Sequence, residues 1–138
     1  MAANVLVPVA QGVEEMETIT IVDVLRRAGA AVTMASVDEM TIQASRGVEF
    51  KADALIKDCM DREWDLVVVP GGIPGAENLA ASEDLTTLLK RQAEADKYYG
   101  AICASPALVL HSKGLVTPGN VTCHPGFVQI IDNGNTKD

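Results

Sequence analysis

Asp65-Leu66-Val67-Val68-Val69-Pro70-Gly71-Gly72 is an unbroken apolar run that starts after an acidic residue and stops at Pro-Gly-Gly. A strand with no polar alternation is buried on both faces, as in a parallel sheet held between two helical layers. Working outward, Asn4 to Ala10 and Ala31 to Val37 read as strands of the same kind, and Tyr99 to Ile102 as another. Between the first two, Glu14 to Ala28 places Met16, Ile19, Val22, Val24 and Leu25 near helical spacing and closes at Gly29. Ser82 caps a long helix with Glu83 and Asp84 in its first turn and Lys90, Arg91 and Lys97 toward its end, charges that complement the macrodipole. Val48 to Phe50 reads as a short edge strand and Ala54 to Met60 as a short helix. Ser105 to His111 is a helix with Pro106 near its first position, and Asn120 to Thr122 begins one more strand. Ile130-Ile131 finishes a sheet strand before the polar run 132–138, read as a loop. About five strands alternating with helices make a doubly wound α/β sandwich, a single domain over residues 1–138.

The chain has 138 residues, 48% of them hydrophobic, enough for one domain with a real core. No apolar run approaches the roughly 20 residues that span a bilayer, and Met1-Ala2-Ala3-Asn4 lacks a basic leader, so a cytoplasmic protein is expected. The net charge of −8, with only Arg26-Arg27 and Lys90-Arg91 clustered, argues against a nucleic-acid surface. Three cysteines, Cys59, Cys103 and Cys123, make no disulfide framework, and with two histidines they show no metal-ligand spacing. No metal or cofactor is expected.

Sites in open α/β sheets form beyond the carboxyl ends of the strands, which directs attention to the loops Gln11 to Glu17, Gly71 to Ala76 and Cys103 to Pro106. The first carries Glu14, Glu15 and Glu17 at a helix start, where dipole compensation and a site carboxylate are both open readings. The second is glycine-rich without being a Walker A loop, because no Gly-Lys-Ser/Thr follows. The third places Cys103 at a strand-to-helix turn, exposed to solvent and beside helix N–H groups that favour the thiolate. Cys59 lies among charged residues with no such turn. Cys123 lies in the strand before His124, and alternation sends the two to opposite faces. Of the two histidines, His111 follows Cys103 by eight residues of helix, roughly 12 Å, so His124 is the better proton partner.

In order along the chain, Gln-Gly-Val-Glu-Glu-Met-Glu-Thr (11 to 18), Val-Asp-Val-Leu-Arg-Arg-Ala-Gly (22 to 29), Ser-Arg-Gly-Val (45 to 48), Val-Val-Pro-Gly-Gly (68 to 72), Ala-Ile-Cys-Ala-Ser-Pro (101 to 106) and Thr-Cys-His-Pro (122 to 125) resemble the ThiJ/PfpI superfamily, and within it the Parkinson's-disease deglycase (DJ-one-like) branch. The resemblance implies a flavodoxin-like sandwich, usually a homodimer. It makes Cys103 the nucleophile, Glu17 its acidic partner, His124 a nearby third group, and the N–H groups of Gly72 and Ala104 the oxyanion hole. Gly71 and Arg46 carry over as substrate-binding or interface positions. It further implies additional sheet, a Gly-Pro-rich loop beside the site and a final helix beyond residue 138. A fragment, a shortened form and a cleaved protein completed by a second chain are all open readings.

A carboxylate beside a thiolate repels it, whereas a protonated carboxyl donates to it, so Glu17 is expected to be neutral or to share one proton with Cys103. Such a pair suits small dicarbonyl or glycated substrates, in glutathione-independent glyoxalase or protein deglycase chemistry, of lyase or hydrolase type. Ala104 stands where the superfamily's proteases place histidine, which disfavours proteolysis. The alternatives are an oxidative-stress sensor or redox chaperone acting through oxidation of Cys103, and a scaffold that keeps the fold without activity.

Overall fold

In the computed structural model, which describes residues 1–116 and 119–131, the apolar runs pair side by side as the sequence requires. Strands β1 (Asn4–Val9), β2 (Ala31–Ser36), β5 (Ala54–Leu55), β6 (Leu66–Val69) and β7 (Tyr98–Ala101) form one parallel sheet in the order β5-β2-β1-β6-β7. Its helices are α1 (Glu15–Arg27), α2 (Ile73–Ala80) and α3 (Glu83–Glu94), followed late in the chain by the short α4 (Val128–Ile131). From β1 the chain winds outward through β2 and β5, then returns to the other side for β6 and β7. The winding reverses between β1 and β6, and the crevice beyond the carboxyl ends of strands at such a reversal is where ligands bind in doubly wound sheets.

Val5, Leu6, Val7 and Val9 of β1 are buried, and Trp64, Leu79, Leu85, Leu88 and Leu89 fill the layer over the sheet. Burying a side chain of this size contributes about 1.5–3 kcal/mol, which is why the central strands tolerate no polar alternation. Two caps match the sequence reading. The Ser82 hydroxyl accepts from the Leu85 N–H at 3.2 Å, and Gly29, just past the end of α1, takes a φ of 90°.

Several expected elements take another form. Val48 to Phe50 is not an edge of the main sheet: β4 (Glu49–Lys51) pairs antiparallel with β3 (Thr41–Gln43) in a separate hairpin, with Ile42 and Phe50 opposite each other. Ala54 and Leu55 extend the main sheet along Ala35 and Ser36, so only Ile56–Cys59 remains helical, as a 3-10 turn. The loop expected at Gly71 to Ala76 turns into α2 at Ile73, with a proline in the first turn where no N–H is required. Pro106–Leu110 winds as a π-type helix continued by a 3-10 turn over His111–Lys113. The strand expected at Asn120 to Thr122 is a single bridge residue, Val121, since the preceding Gly119 and Asn120 are turn formers that leave no run to build a ladder. Ile130 and Ile131 close the helical turn α4, not a strand. The polar run expected as a loop at 132–138 lies outside the described residues.

Candidate active site

Three loops converge at the winding reversal, and each carboxylate of the first has its own work. Glu14 is the N-cap of α1, accepting the Glu17 N–H at 2.7 Å. Glu15 accepts from the Ser45 hydroxyl and from the N–H groups of Arg46 and Val48, holding the β3–β4 turn against α1. Desolvation pulls the Glu15 carboxyl upward, but these donors outweigh it and leave its pKa below the ordinary value. Glu17, one turn into the helix, points elsewhere: its Oε1 accepts the Gly71 N–H at 2.9 Å, and its carboxyl meets the Cys103 thiol.

Cys103 follows β7 at a φ of +62°, a left-handed conformation that side chains rarely adopt. Holding a non-glycine residue there costs on the order of 1–3 kcal/mol, and neighbouring bonds enforce it. The buried Ser105 hydroxyl donates to the Pro70 carbonyl at 2.5 Å, and the His124 N–H donates to the Cys103 carbonyl at 2.6 Å. The turn sets the residue against the loop after β6, a Gly71 Cβ there lying 2.6 Å from the Cys103 Cβ, and the Gly72 and Ala104 N–H groups act to favour the thiolate. Gly72, at a φ of +86°, allows this by lying against Gly12 and Glu14, where a Cβ would come within 2.6 Å of the Glu14 nitrogen.

The sulfur is half-buried, less open than the sequence suggested. Its ionisation also departs from expectation. Burial first, then the charge and hydrogen bond of Glu17, hold the thiol above its ordinary pKa, although the Gly72 and Ala104 N–H groups pull the other way. The step in which the Cys103 thiol loses its proton is therefore moved to higher pH. Removing the carboxylate should lower that step. In a series of iodoacetamide rates against pH, Glu17→Ala is expected to move the upper midpoint downward relative to wild type; an unchanged or higher midpoint would show that Glu17 does not act on the sulfur.

The other expected residues lie at different distances from this centre. His124 is present through its backbone, while its imidazole Nδ1 accepts the Gly126 N–H at 3.0 Å and its ring stands edge-on to Phe127 at 5.8 Å. Arg46 is exposed, and its contact to α1 runs through its N–H to Glu15. Gly71 is the residue wedged between the pair: a Cβ there would sit 2.6 Å from the Cys103 Cβ and 2.7 Å from Glu17 Oε1. Two open clefts of about 470 Å³, one along β7 and one beside Gln11 and Asn78, are lined by neither Cys103 nor Glu17. Among the described residues no cluster of His, Cys, Asp and Glu could hold a metal ion, and no helix is long and apolar enough to cross a membrane.

The family model described as DJ-1/PfpI matches residues 3–137. The chain belongs to the DJ-1/PfpI family. Protein DJ-1 homolog B of Arabidopsis thaliana is 48% identical over 125 residues, which is 90% of this chain and 28% of that protein. A Caenorhabditis elegans protein named glutathione-independent glyoxalase DJR-1.2 is 35% identical over 136 residues, 99% of this chain and 71% of its own length. The oxidized form of Toxoplasma gondii DJ-1 superposes with a TM-score of 0.96 at 42% identity, covering 99% of this chain and 75% of that one. The chain spans under a third of the Arabidopsis homologs B and A, 28% and 31% of their lengths. The mostly parallel sheet with helices is the flavodoxin-like fold expected for a DJ-1/PfpI protein.

Beside Cys103, Ser105 was not singled out from the sequence, and Cys123 was placed on the wrong argument. Ser105 ties the Cys103 turn to the β6 loop, and a buried hydroxyl directly after a strained turn is the signal that could have found it. Cys123 was ranked below His124, yet its thiol senses the charge of Cys103. Strand alternation was the wrong tool, because no strand forms there.

Proposed function

We propose that this DJ-1/PfpI chain is a cysteine-dependent enzyme acting on reactive carbonyls, as a glutathione-independent glyoxalase or a deglycase of glycated adducts. The observation that carries the reading is the closeness of Cys103 and Glu17 across Gly71, where a single Cβ would lie 2.6 Å from the Cys103 Cβ and 2.7 Å from Glu17 Oε1, with the N–H groups of Gly72 and Ala104 acting on the same sulfur. The name of the Caenorhabditis elegans relative supports it. In the proposed cycle, Glu17 and Cys103 share one proton, and the thiolate form adds to the aldehyde carbon of methylglyoxal. Glu17 gives its proton to the new alkoxide, leaving a hemithioacetal, after the N–H groups of Gly72 and Ala104 have held the developing charge. The carboxylate so formed removes the hydrogen from the thiol-bearing carbon and returns it to the neighbouring carbon through an enediol, producing a thioester. Water then cleaves the thioester to lactate and restores the thiol. His124 lies close through its backbone, and its role in the cycle is to hold the Cys103 turn.

Running the reaction in D2O tests the proton shuttle. Lactate carrying deuterium at C2 is the expected product, because an acid shared with solvent exchanges before returning the hydrogen. Lactate with the substrate hydrogen fully retained at C2 would contradict a carboxyl-mediated transfer.

The enzyme is further proposed to work as a homodimer through α1, where Met16, Ile19 and Val24 are 73%, 43% and 54% exposed, beside Val48 at 50%. Arg46 neighbours this patch. Sedimentation of the protein should give a dimer that Met16→Asp shifts to monomer; a monomeric wild type would exclude this arrangement. A second reading, redox sensing through Cys103, is favoured by the oxidized state named for the Toxoplasma gondii neighbour. Intact mass across a peroxide titration bears on it directly: a Cys103 that takes up no oxidant would remove it.

A further inference from the structure

The structure brings the backbone of a second cysteine beside the first. The His124 N–H donates to the Cys103 carbonyl at 2.6 Å, and standard covalent geometry then keeps the Cα atoms of Cys103 and Cys123 within roughly 7 Å. Disulfides bridge Cα separations of about 4.4–6.8 Å, so little backbone movement is required. Both thiols are half-buried, whereas Cys59 is buried. Cys123 stands between the lone bridge residue Val121 and the 3-10 turn Pro125–Phe127, with no strand ladder to break if its loop adjusts. Its thiol is held above the ordinary pKa by burial first and then by the charge on Cys103, which places the two sulfurs within reach of each other's field.

We propose that Cys123 is the resolving thiol for Cys103, so that a hydroperoxide converts the pair to a Cys103–Cys123 disulfide instead of driving Cys103 to the sulfinic acid. The proposal rests on the reading of Cys103 as an accessible, ionisable thiol. In the first step the Cys103 thiolate attacks a peroxide oxygen: an S–O bond forms, the O–O bond breaks, and the leaving oxygen departs with a proton as alcohol or water. In the second, the Cys123 sulfur attacks the sulfenic sulfur: the S–S bond forms, the S–O bond breaks, and hydroxide leaves as water with the proton that Cys123 gives up. Two thiols together lose two electrons and two protons, and one peroxide is reduced.

Trypsin separates the three cysteines into peptides 58–62, 98–113 and 114–137, so each oxidation product can be assigned. With one equivalent of hydrogen peroxide, the intact wild-type chain should lose the mass of two hydrogens and yield a linked pair of peptides 98–113 and 114–137, reversed by a reducing agent. Cys123→Ser should instead gain one oxygen on peptide 98–113, trappable by dimedone, and with excess peroxide should accumulate at least tenfold more sulfinate than wild type. Cys59→Ser should behave as wild type. Sulfinate formed equally fast in wild type and Cys123→Ser, or a link to Cys59 in place of Cys123, would overturn the proposal while leaving Cys103 as the reactive thiol. A Cys103 unmodified in every variant would overturn both.

Discussion

Cys103→Ala is expected to reduce conversion of methylglyoxal to lactate to the rate without protein, with the fold intact. The sulfur forms the bond that begins the proposed cycle, and no other group among the described residues stands at the meeting point of the Glu17 carboxyl and the Gly72 and Ala104 N–H groups. Removing a covalent nucleophile leaves whatever binding and polarisation provide, so a fall of at least about a thousandfold is the scale to look for. Alanine deletes only the Sγ atom, so the left-handed turn and the hydrogen bonds from Ser105 and His124 are expected to persist. Lactate released by the variant at the wild-type rate would place the chemistry elsewhere.

Gly71→Ala is expected to inactivate the protein nearly as thoroughly without touching either reacting group. Its Cβ would lie 2.6 Å from the Cys103 Cβ, 2.7 Å from Glu17 Oε1 and 3.0 Å from the Ile102 carbonyl, so one methyl pushes on both members of the pair. The Cys103 turn is already strained and Glu17 is tethered to the Gly71 N–H, so neither can yield without leaving its partner. A loss of at least a hundredfold in kcat/KM is expected, since displacement of about 1 Å costs that much, together with roughly 1–3 kcal/mol of stability from overpacking. Gly100→Ala is the control, because a Cβ there meets nothing within 4 Å. Equal activity in the two variants would show that the spacing between Glu17 and Cys103 is not critical.

The parallel sheet was legible because Leu66 to Val69 and Asn4 to Val9 are apolar without alternation, a pattern decided by burial alone. The place of Cys103 was legible for a related reason: it stands between a strand and a proline-started helix, at the carboxyl edge of the sheet. What escaped depends on contacts distant in sequence. Glu14, Glu15 and Glu17 have the same local propensity, so that only the family resemblance picked out Glu17 beforehand; in the fold, the positions of Gly71, the β3–β4 turn and the helix start separate the three. Thr41 to Gln43 became a strand because Glu49 to Lys51 folds back on it, which no window on either segment reveals. The upward push on the Cys103 thiol was not legible because its largest cause is burial, which depends on how the loops after β6 and β7 close around the sulfur.

The central claim is that one sulfur, Cys103, forms the covalent bond to the substrate carbon. Rapid acid quenching of the protein with methylglyoxal, which preserves a thioester, followed by peptide mapping at low pH, tests it most directly. A substrate-derived adduct confined to the peptide that carries Cys103 and absent from Cys103→Ala is the predicted result. Lactate formation with no adduct on Cys103, or with adducts only on lysines, Cys59 or Cys123, would contradict it.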